Sequence, residues 1–174
     1  MAASNIQTTV AGKKLMLFDD NGHSFAFATN HTLSINGETS DISTKDHGIY
    51  GSSMVNRITW EITSENVFPL DADGSDSEFN DLFTHMTSRD EVTVYFGLKV
   101  ETGATYSGST SGDGLKQGKG NIDADYWEAN TGSLLYKGKV IITSLQLNAP
   151  DGEEASYSAT FTGVGSLVKV SAIG

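Results

Sequence analysis

The sequence has no cysteine, only two prolines, and half as many cationic as acidic side chains. Without cysteine there can be no disulfide staple, thiol nucleophile or thiolate metal site, so cohesion has to come from packing and assembly. No apolar run approaches the length of a membrane span. Met1 to Val10 show neither the basic start nor the apolar middle of an export signal. A soluble chain, made and kept in a cytoplasm and without a membrane partner, is therefore expected. With 11 Lys+Arg against 22 Asp+Glu the formal charge is −11. Such a balance repels nucleic acid and argues against a dedicated DNA-binding surface.

What remains is a chain of 174 residues, rich in glycine (19) and in β-branched and hydroxyl side chains. That mixture suits many strands joined by tight turns, in one domain spanning 1–174. Lys14-Leu-Met-Leu-Phe18, Asp19-Asp20-Asn21-Gly22 and His23 to Thr29 read as a hairpin, because Asn-Gly supplies the positive φ angles of a tight turn. Thr32-Leu-Ser-Ile35 alternates, Gly37 breaks it, and Glu38 to Ser43 is a further short strand. In Arg57 to Thr63, alternation puts Ile58, Trp60 and Ile62 on one face, with Trp60 as a core anchor.

Ser75 and Glu78 have capping-box spacing, and Phe79, Leu82, Phe83 and Met86 follow as an apolar helical stripe. The spacing predicts a flanking helix over about 76–87, with Phe79, Leu82 and Phe83 anchored in the core. Glu91 to Val100 returns to strand. Glu101 to Asn121 are mostly Gly, Ser, Thr and Lys, and residues 101–130 read as a long mobile loop, as residues 1–10 read as a flexible arm. Tyr136 to Asn148, the turn Ala149-Pro-Asp-Gly152 and Ala155 to Gly163 form a second hairpin, which puts Phe161 in the core. Leu167 to Val170 is a final edge strand carrying Lys169.

Catalytic chemistry finds little to stand on. Asp71, Asp73, Asp76 and Glu78 crowd Gly74 without calcium-loop spacing, and read better as charges complementing a helix N-terminus. Gly112 to Gly120 lacks the spacing and the Ser/Thr of a phosphate cradle, and no apolar helix follows it. His23, His31, His47 and His85 have no paired zinc spacing, so solvated or packed histidines are expected. Gly108 to Gly112 places Thr where a serine nucleophile would stand. Neither metal nor cofactor is expected. Trp60, Tyr95 and Trp127 could make an aromatic sugar platform, although Trp60 points to the core. Tyr126-Trp127 fits either a sugar or an assembly contact.

Several segments together resemble the major tail proteins, or tail tube proteins, of long-tailed bacteriophages. They are Ala11 to Phe18, Phe25 to Lys45, Thr59 to Thr63, Val92 to Gly97, and Ile142 to Gly152 leading into Ser158 to Leu167. The C-terminal segment is the most specific and the stretch 101–130 the least matched. The resemblance implies a mainly β fold of two packed antiparallel sheets, a sandwich or barrel, with one flanking helix. It also implies a structural, non-enzymatic virion protein in hexameric rings that stack into a hollow tube for DNA. Its partners would be copies of itself and the tape measure, tail terminator and distal tail or baseplate proteins.

Such a tube must let a polyanion slide, so part of the negative charge is expected to line its lumen. Stacking then falls to apolar burial, strand pairing and ordering of the loop, with Leu115, Ile122, Tyr126 and Trp127 as assembly contacts. Two alternatives stay open: a carbohydrate- or host-binding β-sandwich module of a virion, and the inner tube of a bacterial contractile injection system, which passes protein.

Overall fold

The computed structural model describes residues 10–22, 24, 28–47, 50–68, 78–99 and 129–174. They form β1 (Leu15–Phe18), β2 (Ala28–Asp41), β3 (Ser53–Val67), α1 (Glu78–Ser88), β4 (Val92–Leu98), β5 (Leu135–Asn148) and β6 (Ser156–Val170). The strands make one six-stranded sheet in the order β1-β4-β5-β6-β3-β2, antiparallel at every pairing.

The first turn follows its chemistry. Gly22 takes φ +82°, its N–H donates to Asp19 O at 3.1 Å, and the Asn21 N–H donates to Asp19 Oδ1. The second turn places Gly152 at φ +83°. Strand breaks, however, are fewer than alternation suggests. β2 runs straight through Gly37, with a register shift between Glu38 and Thr39 absorbing the irregularity. The two expected C-terminal strands are one, because β6 continues through Gly163 and Gly165 against β5.

Pairing along these long strands is shared out unequally. β6 lies beside β3 only from Ser156 to Thr162, and then leaves it. Beyond that point β6 keeps only β5, whose first half in turn pairs with β4, and β4 with β1. β1 and β2 stand at opposite ends of the strand order yet touch, and Leu17 of β1 and Leu33 of β2 pack in one core. The sheet is therefore strongly curled, and one continuous sheet encloses its interior as facing layers would.

Trp60 sits where β3 parts from β6. A Cβ at Gly163 or at Gly138 would collide with its indole, so two glycines make the slot that the ring fills. The Trp60 Nε1–H donates to Gly165 O at 3.0 Å, which satisfies the ring's polar atom. Around it pack Ile62, Val94, Val140, Ile142, Tyr157 and Phe161. Leu82 of α1 closes this core, and half-buried Phe79 stacks edge-on to Tyr157, ring centroids 5.5 Å apart. A second cluster of Phe18, Tyr95, Ala129 and Leu135 covers the opposite face of the β1–β4 half, with Ile173 against it.

Candidate assembly surface

The β2–β3 hairpin has two halves. Residues 61–67 of β3 have β6 on one side and β2 on the other, whereas residues 53–60 have, among the described residues, β2 alone. A two-stranded ribbon has no third strand or second layer to cover it. Ile35, Met54, Val55 and Ile58 are accordingly more than half exposed. Ile58 is 65% exposed although Trp60, two residues on and on the same face, is only 3% exposed. The Val55 side chain lies 3.4 Å from where a Gly37 Cβ would be, and Gly37 is paired with Ile58. Ile35, Val55 and Ile58 thus continue the core stripe beyond the body of the protein, with no cover among the described residues.

Hydrogen bonds keep this arm regular to its end. Asn56 is bonded to Ser40, Ile42 N–H donates to Ser52 O at 2.8 Å, and Ser52 N–H donates to Ser43 Oγ at 2.8 Å. Bonds from the Ser43 hydroxyl and N–H hold the Asp41 carboxyl below its ordinary pKa. Ile42 and Tyr50 are exposed there as well, Tyr50 at 79%. Exposed apolar side chains gathered on one arm are the feature expected of a contact site.

The helix corrects one expectation. Leu82 is buried and Phe79 and Met86 half-buried, but Phe83 is 54% exposed. α1 packs against β5 and the core along one line, and its apolar stripe is wider than that line, so Phe83 falls outside. The helix ends at Arg89 in the left-handed region, φ +61°, where Asp90 N–H donates to His85 O.

The outward face of β2, β3, β6 and the second half of β5 has another character. Register aligns Asn30, Glu65, Ser158 and Gln146 in one row, Thr32, Thr63 and Thr160 in the next, and Ser34, Glu61 and Thr162 in a third. Thr143 Oγ1 and Thr162 Oγ1 share a hydrogen bond of 2.9 Å across this face, and Asn30 Nδ2 donates to Glu65 Oε2 at 3.4 Å. Thr162 is paired in turn with Ile141, the one aliphatic side chain in these rows, and none of the three rows holds a cation. Cations lie at the margins of this face: Arg57, which alternates with Thr59 and Glu61 on β3, is paired in register with Glu38 on the arm, and Lys139 bridges to Glu91 at 3.1 Å.

Leu115, Ile122, Tyr126 and Trp127, the expected assembly contacts, lie outside the described residues, as do the residue 71–77 carboxylates, the 112–120 glycines and residues 1–9. The two ends of the 100–128 stretch are pinned together, however. Lys99 and Ala129 form an antiparallel bridge, and Asn130 N–H donates to Leu98 O at 2.7 Å. Trp60 and Tyr95 are buried in separate clusters and make no shared sugar platform.

His31 on β2 opposes Ser64, which donates to Asn66 Oδ1 at 2.9 Å in a polar patch at one end of the core. Both His31 ring nitrogens are buried without a hydrogen-bond partner among the described residues, and burial lowers its pKa to about 4. Sequence reading missed the arm. Its one available sign was an apolar alternation longer than the strands beside it can cover.

Residues 9–112 match the family described as phage tail tube protein. No protein of curated function matches. The fold is similar to a chain in the C6-symmetric tail of an empty gene transfer agent particle, at TM-score 0.60 and 16% identity, covering 94% of this chain and 99% of that one. It is similar to the SPP1 tail tube, at 0.61 and 8% identity, covering 95% and 81%. A chain in the six-fold symmetrised baseplate of the anti-feeding prophage is similar at 0.56 and 8%, covering 95% and 97%.

Proposed function

The chain belongs to the phage tail tube protein family, and on that premise we propose that it is a structural virion protein whose copies join into stacked rings of six, forming the hollow tail tube through which DNA passes. The observation that carries this reading is the apolar arm: Ile35, Val55 and Ile58 extend the core stripe into solvent, where a neighbouring copy would cover them. The C6 tail of the gene transfer agent supports six as the ring number. Each ring then repeats one surface against a different surface of its neighbour, a head-to-tail contact that closes by rotation.

In this reading the halves of the curled sheet act as two packed layers, divided where β3 leaves β6. No catalytic role is assigned. Leu115, Ile122, Tyr126 and Trp127 are kept as further contacts, to be tested by comparing hydrogen exchange of residues 101–130 in subunit and tube. The remaining partners are the tape measure, terminator and distal tail or baseplate proteins.

Negative-stain microscopy of the concentrated protein tests the reading. Hollow rods of uniform width are expected. Small discrete particles at every concentration and salt, even with a preformed tail end as template, would overturn it. A second reading, the tube of a contractile injection machine, draws on the fold likeness to the anti-feeding prophage baseplate chain. Neighbouring genes for capsid and terminase decide between them.

A further inference from the structure

Three segments distant in sequence converge on the turn that follows β1. Gly22 is buried there, and a Cβ on it would collide with the Ile173 side chain, so the glycine leaves a notch that Ile173 fills. The Gly22 carbonyl meanwhile accepts from the Ala129 N–H at 3.0 Å. Ala129 is bridged to Lys99 in turn, and the Lys99 N–H donates to Lys14 O at 3.0 Å. One glycine thus joins the pinch at the end of β4 to the residues that come after β6.

Residues 171–174 are held to the body at separate points. Gly132 N–H donates to Ser171 O at 2.8 Å, and Ile173 packs on the cluster of Phe18, Tyr95, Ala129 and Leu135. Gly174 meets Tyr95, whose ring is only 1% exposed. The Tyr95 hydroxyl donates to Gly174 O at 3.0 Å and accepts from the Gly174 N–H at 3.1 Å, which gives a buried tyrosine the polar partner it needs. Lys137 adds a bond to Gly174 O, with its ammonium 5.4 Å from the centre of the Tyr95 ring. Between these points Ser171 and Ala172 are exposed, beside an open groove lined by Gly132, Ser133 and Lys169. A segment held by one apolar side chain and a few bonds near the surface opens at lower free energy than paired strands do.

We propose that residues 171–174 are a latch on the pinch. Docked, they fix the Gly22 turn and the Lys99–Ala129 bridge; released, all three open as one unit while β3, β6 and the Trp60 core stay closed. The coupling is steric and polar at once. Withdrawing Ile173 empties the notch at Gly22 and uncovers Ala129, so water reaches the bond between them. The place where residues 100–128 leave and rejoin the sheet is therefore governed from the far end of β6. This device belongs to the single subunit and does not rest on the tube reading.

Amide hydrogen exchange of the free subunit, read residue by residue by NMR at neutral pH, tests the coupling. The reporters are Gly132 on the latch and Lys99, Ala129 and Asn130 at the pinch, whose N–H groups all donate to backbone carbonyls. The reference is the paired stretch of β3 and β6, residues 61–67 and 156–162. Ile173→Ala should speed exchange at all four reporters together, by about tenfold, with the reference unchanged. Tyr95→Phe keeps the ring and removes only the hydroxyl; it should speed the same four by about fivefold, and it carries the test if the first variant folds poorly. Acceleration at Gly132 alone would make the segment a fraying strand end that holds nothing. Equal acceleration of the reference would make the effect a general loss of stability, and unchanged exchange at the pinch would uncouple it from the latch; each of these overturns the proposal.

Discussion

The two halves of the β2–β3 hairpin are built from the same alternation and meet different fates. In the half beside β6, one side is core and the other a polar lawn; in the half beyond it, both sides are exposed and the apolar residues have no cover among the described residues. Trp60 and Ile58 are the sharpest pair, on one face, two residues apart, and buried and bare respectively. The difference teaches that alternation reports which residues need burial. Where that burial comes from is decided by how far the neighbouring strand runs.

Trp60→Ala should cut the stability of the isolated subunit most, by about 3–5 kcal/mol in urea denaturation, since it empties a slot that two glycines shape. Ile58→Ala should change it by less than about 0.5 kcal/mol. Comparable losses in both would erase the distinction between the two halves.

Next in size, Glu61→Lys with Glu65→Lys should leave tubes intact but make them retain duplex DNA. If six or more phosphates are engaged, affinity should fall about a thousandfold between 50 and 200 mM salt. Salt-independent or absent retention would remove these residues from the path of the DNA.

His31 gives a smaller, pH-dependent effect on the covered half. Its folded pKa is depressed to about 4 from an ordinary 6.5, so the unfolded chain binds the extra proton and stability falls as pH drops through that window. The loss approaches an upper bound of about 3 kcal/mol near pH 4. It should vanish in His31→Leu; an unchanged acid slope in that variant would assign it to other groups.

Smallest is Ile58→Ser, which should leave the subunit melting temperature nearly unchanged while raising the concentration needed for tube growth about tenfold, or ~1.4 kcal/mol per contact. Light scattering against protein concentration reads this directly. An unaltered threshold would mean the arm is not a contact.

Much of the fold could be read from local chemistry. Asn21-Gly22, the helical stripe of Phe79, Leu82 and Met86, and the alternations around Trp60 and Phe161 each act over a few residues, and periodicity captures that. What escaped depends on partners distant in sequence. Gly37 reads as a breaker, yet β3 continues on its flank and carries the strand through. Phe83 belongs to the apolar stripe, but α1 contacts the body along a narrower line. The polar face was invisible because Glu61, Thr160 and Thr32 come from three separated segments, and only register makes them neighbours.

The bridge between Lys99 and Ala129 has a practical corollary for engineering. A chain that departs and returns at one point can be lengthened there while the sheet keeps its registers, and loop closure costs only about 0.6 kcal/mol for each doubling of length. Peptide tags or small folded inserts spliced between those two residues should leave the subunit's melting behaviour intact.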